Sequence, residues 1–170
     1  MMRPLHVVIL AAGEGTRMRS NRPKMLQPLG GRPLLSHLLD IAQALQPERV
    51  HVVVGSGADA VMTACEGYTV EWVQQQQRLG TGHAVLQAMP GIPDGSDVLV
   101  LLGDHPLLPL ALLESMRDGF RGPLALLTTE LEDPTGYGRI LRDPGGNIIG
   151  VVEHRDAAAT LARFDGAHQS

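Results

Sequence analysis

Aromatic residues are nearly missing from this 170-residue chain, which has two Phe, two Tyr and one Trp, 3% in all. Its core must therefore be filled by Leu, Val, Ile, Ala and Met. Cysteine is almost as scarce, and a single one, Cys65, excludes an internal disulfide or a cysteine-based metal site. It reads as a small buried apolar residue. No apolar run approaches the length of a membrane span. Arg3 followed by Leu5, Val7, Val8, Ile9, Leu10, Ala11 and Ala12 has the look of a signal peptide, but His6 interrupts the run and a glycine-rich loop ends it. Strong charge of one sign is lacking too. A net charge of −4, with acids and bases mixed, gives no long-range attraction to nucleic acid or anionic membranes. The expectation is a soluble, cytoplasmic protein whose anionic ligands are held by a few local cations. No internal repeat or low-complexity tract is present, which excludes arrays and solenoids.

What is there reads as a globular fold. Hydrophobic residues make up 44% and charged ones 19%, and a chain of this length buries roughly 70% of its unfolded surface without staples. Residues 1–170 are expected to form one domain. Short apolar runs alternate with segments of helical period, the pattern of βαβ units around a mostly parallel sheet. Strands are expected at Leu5 to Leu10, Val50 to Val54, Thr69 to Gln74, Val98 to Leu102 and Leu124 to Leu131. Helices are expected at Pro33 to Leu45, Ala58 to Cys65, Thr81 to Met89 and Leu110 to Arg117, with a weak one at Ala157 to Arg163. Gly138 to Arg142 and Asn147 to Glu153 flank Asp143-Pro144-Gly145-Gly146, a hairpin turn signal. The fold class is a Rossmann-like, doubly wound α/β domain with a β-hairpin near the C-terminus, its ligands expected where strand ends meet loops.

The sharpest local feature is Leu10-Ala11-Ala12-Gly13-Glu14-Gly15-Thr16-Arg17-Met18, followed by Pro23-Lys24. Small residues and two glycines after a buried strand let backbone N–H groups approach an anion unobstructed. Arg17 offers a forked phosphate donor and Lys24 a compact cation. Met18 stands where a dinucleotide fingerprint needs its final glycine, and no Walker A pattern is present. A bare G-x-G would equally suit a tight strand-to-helix turn.

The whole stretch resembles the signature loop of the sugar-nucleotidyltransferases, L-A-A-G-x-G-T-R-M followed by P-K, which wraps a triphosphate. The resemblance assigns that role to Leu10, Ala11, Ala12, Gly13, Gly15, Arg17 and Lys24, with Arg17 and Lys24 as the catalytic cations. Three later motifs resemble one branch, the bacterial N-acetylglucosamine-1-phosphate uridylyltransferases, normally fused to a glucosamine-1-phosphate acetyltransferase. In Gln75-Gln76-Gln77-Arg78-Leu79-Gly80-Thr81-Gly82-His83-Ala84, the resemblance gives uracil binding to Gln75, Gly80 and Thr81. A primary amide can satisfy a donor and an acceptor on one pyrimidine edge. Read alone, the loop could simply cap the next helix through Thr81, and His83 reads as helix packing or capping. In Leu101-Leu102-Gly103-Asp104-His105-Pro106-Leu107, Leu102 and Gly103 match substrate-binding positions and Asp104 the Mg²⁺-binding aspartate. An aspartate ending a buried strand suits that task, although a helix-start turn would use one too. Asp133-Pro134-Thr135-Gly136-Tyr137-Gly138-Arg139-Ile140, with Val152-Glu153-His154 after the hairpin, gives Gly138 and Glu153 to the N-acetylglucosamine.

Three residues depart from that branch. Arg78 replaces a second glutamine, Leu102 a tyrosine and His105 a small apolar residue. The likeness runs from about residue 5 to residue 156. It implies in-line attack of N-acetylglucosamine 1-phosphate on the α-phosphorus of UTP, with Mg²⁺ as cofactor and pyrophosphate as leaving group. The product would feed peptidoglycan and lipopolysaccharide synthesis. The implied asparagine-bearing segments beyond residue 170 and the left-handed β-helix acetyltransferase domain have no match here, and oligomers are expected only through such segments. Another nucleotidyltransferase sharing the first loop, or a catalytically impaired nucleotide-binding fragment, remain the alternatives.

Overall fold

In a computed structural model, residues 3–13, 15, 18, 20, 22–77 and 79–152 are described. They fall into two compact units that divide after Gly122. In the first, strands β1 (Leu5–Leu10), β4 (Arg49–Val54), β5 (Glu71–Gln74) and β6 (Asp97–Leu102) form one parallel sheet in the order β5-β4-β1-β6. Between them run α1 (Leu34–Ala44), α2 (Ala58–Ala64) and α3 (Thr81–Ala88), and α4 (Leu110–Gly119) follows β6. The expected strands and helices of this unit are present, with ends moved by one or two residues. Pro33 sits just outside α1 instead of in its first turn.

The period-2 pattern of the strands sorts side chains to two faces. Val7, Ile9, Val50, Val52, Val54 and Leu101 meet α1, whose Leu35, Leu38, Leu39 and Ala42 recur at helical spacing and are fully buried. Val61 and Cys65 around α2 and Leu113 of α4 complete that layer. On the opposite face, Val8 and Val53 pack on Ala84 and Ala88 of α3 and on Ile92. Helices thus cover both faces, as a doubly wound sheet requires. Within this unit the second cover stops short of β6, whose Val98, Val100 and Leu102 stay more than a third exposed.

A small hairpin, β2 (Pro28–Leu29) and β3 (Arg32–Pro33), turns through Gly30 and Gly31, both at positive φ. The second unit contains the antiparallel hairpin β7 (Arg139–Arg142) and β8 (Ile148–Val152). Asp143 closes its turn by accepting from the Asn147 backbone at 2.8 Å, with Gly146 at φ 84°. The strand expected over Leu124 to Leu131 is not formed. The segment is apolar over Leu124 to Leu127 but has no ladder partner, and without inter-strand bonds an apolar run stays irregular. The expected helix over Ala157 to Arg163 lies outside the described residues. Among the described residues, no helix is long and apolar enough to cross a membrane.

Candidate functional site

The chain leaves β1 for β4 and β5 on one side, then returns to β6 on β1's other side. That reversal opens a crevice at the carboxyl ends of the strands, where open α/β sheets take their ligands. A cleft of about 390 Å³ lies there. Leu10, Ala12 and Gly13 line it from the end of β1, and Lys24 with Met25 from the following loop. Gln75 enters from the end of β5, Gly80, Thr81 and Ala84 from the start of α3, and Leu102, Gly103 and Asp104 from the end of β6. Three motifs far apart in the sequence thus line one cleft.

Close approach explains one glycine, and open space surrounds another. A Cβ on Gly103 would stand 2.5 Å from the Leu10 carbonyl oxygen and 2.8 Å from Met25 Sδ, so only glycine lets β6 pass that close. A Cβ on Gly13 would meet nothing within 4 Å, so its hydrogen faces open space in the cleft. Ala11 and Gly15 belong to a neighbouring cleft of about 480 Å³, where they face Gly55, Ser56 and Gly57 after β4. Gly13 and Lys24 border both clefts, so the loop forms a ridge between them.

Lys24 Nζ donates to Asp104 Oδ2 at 3.0 Å, and His105 Nδ1 lies 3.0 Å from Asp104 Oδ1. Burial works to raise the Asp104 pKa, but the Lys24 hydrogen bond and charge, helped by His105, bring it below the usual carboxylate value. The result is an ionised, half-exposed carboxylate beside a cation on the wall of the 390 Å³ cleft. No group of three or more His, Cys, Asp or Glu gathers as a metal cage among the described residues. A lone carboxylate of this kind fits Mg²⁺ or Mn²⁺ carried in on phosphates, since such ions keep waters and substrate oxygens as ligands.

Gln75 is 6% exposed. Its backbone N–H donates to the Val54 carbonyl at 2.8 Å, and its side-chain nitrogen lies 3.0 Å from His83 Nδ1. Gly80 precedes α3 at φ 105°, a conformation that favours glycine, and no side chain caps the helix, so Thr81 does not act as its cap. Gly138 stands in the second unit beside Val151 and Val152 of its own hairpin. Arg17, Arg78 and Glu153 lie outside the described residues. Sequence reasoning missed Met25, Ala84 and the His83 contact, for which adjacency to marked residues was the one available signal.

A family model described as the MobA-like NTP transferase domain matches residues 7–168. The chain belongs to that family. Nucleotidyl transfer is the chemistry that names this family. Similar proteins include the bifunctional protein GlmU of Alkalilimnicola ehrlichii, 54% identical over 96% of this chain and 35% of that protein. The chain thus spans about a third of the length of the curated relatives it matches. Among solved structures, HddC of Yersinia pseudotuberculosis, complexed with GMP-PN, is 25% identical with a TM-score of 0.63, over 87% of this chain and 68% of that one. Rv0371C of Mycobacterium tuberculosis, in complex with manganese, shares the fold at 24% identity and a TM-score of 0.54, over 69% of this chain and 60% of that one.

Proposed function

We propose that this chain is the nucleotide-binding part of a uridylyltransferase that joins UTP to N-acetylglucosamine 1-phosphate. One observation carries the reading: the Lys24–Asp104 pair sits in the same cleft as Gln75, Gly80 and Thr81. A phosphate end and a base end are thereby held by one rigid sheet. Lys24 and Arg17 would neutralise the triphosphate, and Leu10, Ala11, Ala12, Gly13 and Gly15 would supply its cradle. Leu102 and Gly103 would floor the site, and Asp104 would hold Mg²⁺. Bound there, a divalent ion would draw charge from the phosphate oxygens and help pyrophosphate leave.

The nucleophile is a phosphate oxygen that is already anionic, so no general base is required. Lys24 and Arg17 serve by orienting the α-phosphorus and by matching the charge that develops around it. Gly138 and Glu153 would bind the N-acetylglucosamine, as the resemblance to that branch implies. Supply of UDP-N-acetylglucosamine for cell-wall and lipopolysaccharide precursors, a cytoplasmic location, and a single partial transferase domain over residues 1–170 belong to the same proposal. Because the longer relatives carry segments this chain does not match, turnover is assigned to the chain extended to their length.

Two measurements test it. Calorimetry should show UTP binding the 170-residue chain with Mg²⁺ more tightly than CTP, ATP or GTP. Pyrophosphate release by the extended chain should need UTP and N-acetylglucosamine 1-phosphate together, and Asp104→Asn should lower it about a hundredfold or more. Equal affinity for all four nucleotides, or an Asp104→Asn chain as active as its parent, would overturn the assignment.

A further inference from the structure

The base-facing amide has a second layer behind it. Gln75 Nε2 donates to the Gly80 carbonyl at 3.4 Å and faces His83 Nδ1 at 3.0 Å. On the other side of the imidazole, one helical turn further along α3, Gln87 Nε2 lies 3.2 Å from His83 Nε2. A neutral imidazole has one N–H and one lone pair. Two amide nitrogens cannot both donate to it, so one glutamine must present its oxygen instead.

Burial decides which. Gln75 is 6% exposed and has a carbonyl beside its nitrogen, and a carbonyl can only accept. Turning this amide would set oxygen against oxygen with little water to repair the loss. Gln87 Nε2 also reaches a carbonyl, that of His83 at 3.4 Å, but Gln87 is only half-buried, so water can replace that contact and its amide can rotate at smaller cost. The lone pair therefore belongs on Nδ1, the proton on Nε2, and the oxygen of Gln87 accepts that proton. With both Gln75 N–H groups engaged, the amide offers a ligand its Oε1, an acceptor.

We propose that His83, backed by Gln87, is a positioning residue that selects uracil over cytosine by fixing the orientation of the Gln75 amide. The inference rests on Gln75 reading the base, as proposed above. Uracil carries a hydrogen on N3 and can donate to Oε1. Cytosine carries a lone pair on N3 and is repelled. A freely turning amide would serve both pyrimidines, because its nitrogen can answer cytosine N3 as well as its oxygen answers uracil N3–H.

The experiment measures the ratio of UTP to CTP affinity by calorimetry with Mg²⁺ on the 170-residue chain and its variants. His83→Phe should lower the ratio on the order of tenfold, while His83→Asn, which keeps an acceptor near the Nδ1 position, should retain most of it. Gln87 gives a sharper pair. Gln87→Lys can only donate, which drives the lone pair to Nε2 and turns Gln75, so the ratio should fall. Gln87→Glu can only accept, so the ratio should hold or rise. Charge added at residue 87 acts on both nucleotides and cancels in the ratio.

Equal ratios for Gln87→Lys and Gln87→Glu would overturn the relay, as would an unchanged ratio in folded His83→Phe beside a reduced one in Gln75→Ala. An unchanged ratio in Gln75→Ala would instead remove the base reading itself, and the relay with it. Long-range ¹H–¹⁵N spectra of the parent chain give a readout independent of any variant's folding. Nδ1 of His83 should resonate as an unprotonated nitrogen, and a proton found there sinks the proposal.

Discussion

The two units of this chain carry similar apolar sequence and put it to different use. Before Gly122, Leu35, Leu38, Leu39, Val7, Val8 and Val52 have no exposed surface at all. After it, no described residue is buried, and Leu124, Ile149 and Val151 remain more than half exposed. Parallel strands need crossovers, and the crossover helices bring their own cover to the sheet. A hairpin needs only its turn, here Asp143 to Asn147, and carries no cover of its own. The first unit is therefore specified by long-range burial and the second by local turn chemistry.

The largest effect expected from that contrast is on stability. Leu38→Ala should cost about 2–5 kcal/mol, because a fully buried side chain leaves a cavity against the sheet. Ile149→Ala should stay within about 0.5 kcal/mol, as substitutions at exposed positions commonly do. Urea unfolding of both variants would break the comparison if Ile149→Ala proved as damaging as Leu38→Ala.

The contrast extends to binding. The Lys24–Asp104 pair is complete within the first unit. Lys24→Ala should weaken UTP by about 1.5–3 kcal/mol, the usual loss for one charge-assisted contact. Uridine, having no phosphate, should bind as before. Calorimetry with both ligands decides it, and equal losses would mean that Lys24 does not touch phosphate.

How much of this was legible in the sequence follows the same division. The βα alternation was readable because each buried strand is a nearly unbroken apolar run, and the β7–β8 hairpin because its turn residues are adjacent. Leu124 to Leu131 misled for a physical reason: a short apolar run meets only one need of a strand, and a ladder also needs a neighbour. The β2–β3 hairpin was invisible, since strands of two residues containing Pro28 and Pro33 carry no periodicity. At the site, glycines and Asp104 were marked by motif. The Lys24–Asp104 contact joins residues 80 apart and needed the sheet order. The His83 contact to Gln75 needed the angle at which α3 leaves its loop.

A smaller effect comes from a titratable group inside the first unit's core. His6 and His51 stack with ring centroids 5.4 Å apart, and His6 Nδ1 lies 3.1 Å from His51 Nε2. Burial, with the neighbouring His6 and Arg49 adding to it against Glu71, holds the His51 pKa below the usual histidine value. The unfolded chain takes up this proton near pH 6.5, whereas the folded chain resists it. Unfolding therefore binds a proton in that window. The contribution is fully present above about pH 6.5 and is lost as pH falls toward the folded value, by at most about 1.4 kcal/mol per pH unit. Thermal midpoints measured from pH 7.5 to 5 should decline less steeply in His51→Gln than in the parent. Identical slopes would show that His51 charges equally easily in both states.

The smallest expected change lies at the end of α1. Gln46 has φ 51°, and among the described residues it is the one non-glycine at positive φ. Its N–H donates to the Gln43 carbonyl at 2.9 Å, which closes the helix, and Pro47 follows at once. The left-handed conformation costs a residue with a Cβ roughly 1–2 kcal/mol, and a following proline narrows its choices further. Gln46 is exposed, so its side chain offers little packing in return. Glycine would remove the strain but would also gain freedom in the unfolded chain, which offsets about 0.4–1 kcal/mol. Gln46→Gly should therefore stabilise by a net of roughly 0.5 kcal/mol, whereas Gln46→Val, branched at Cβ, should destabilise by about 1 kcal/mol or more. Both are read from unfolding midpoints at equal denaturant slope. A stabilising valine would mean that this turn relaxes at little cost, and that the end of α1 is as locally adjustable as the hairpin of the second unit.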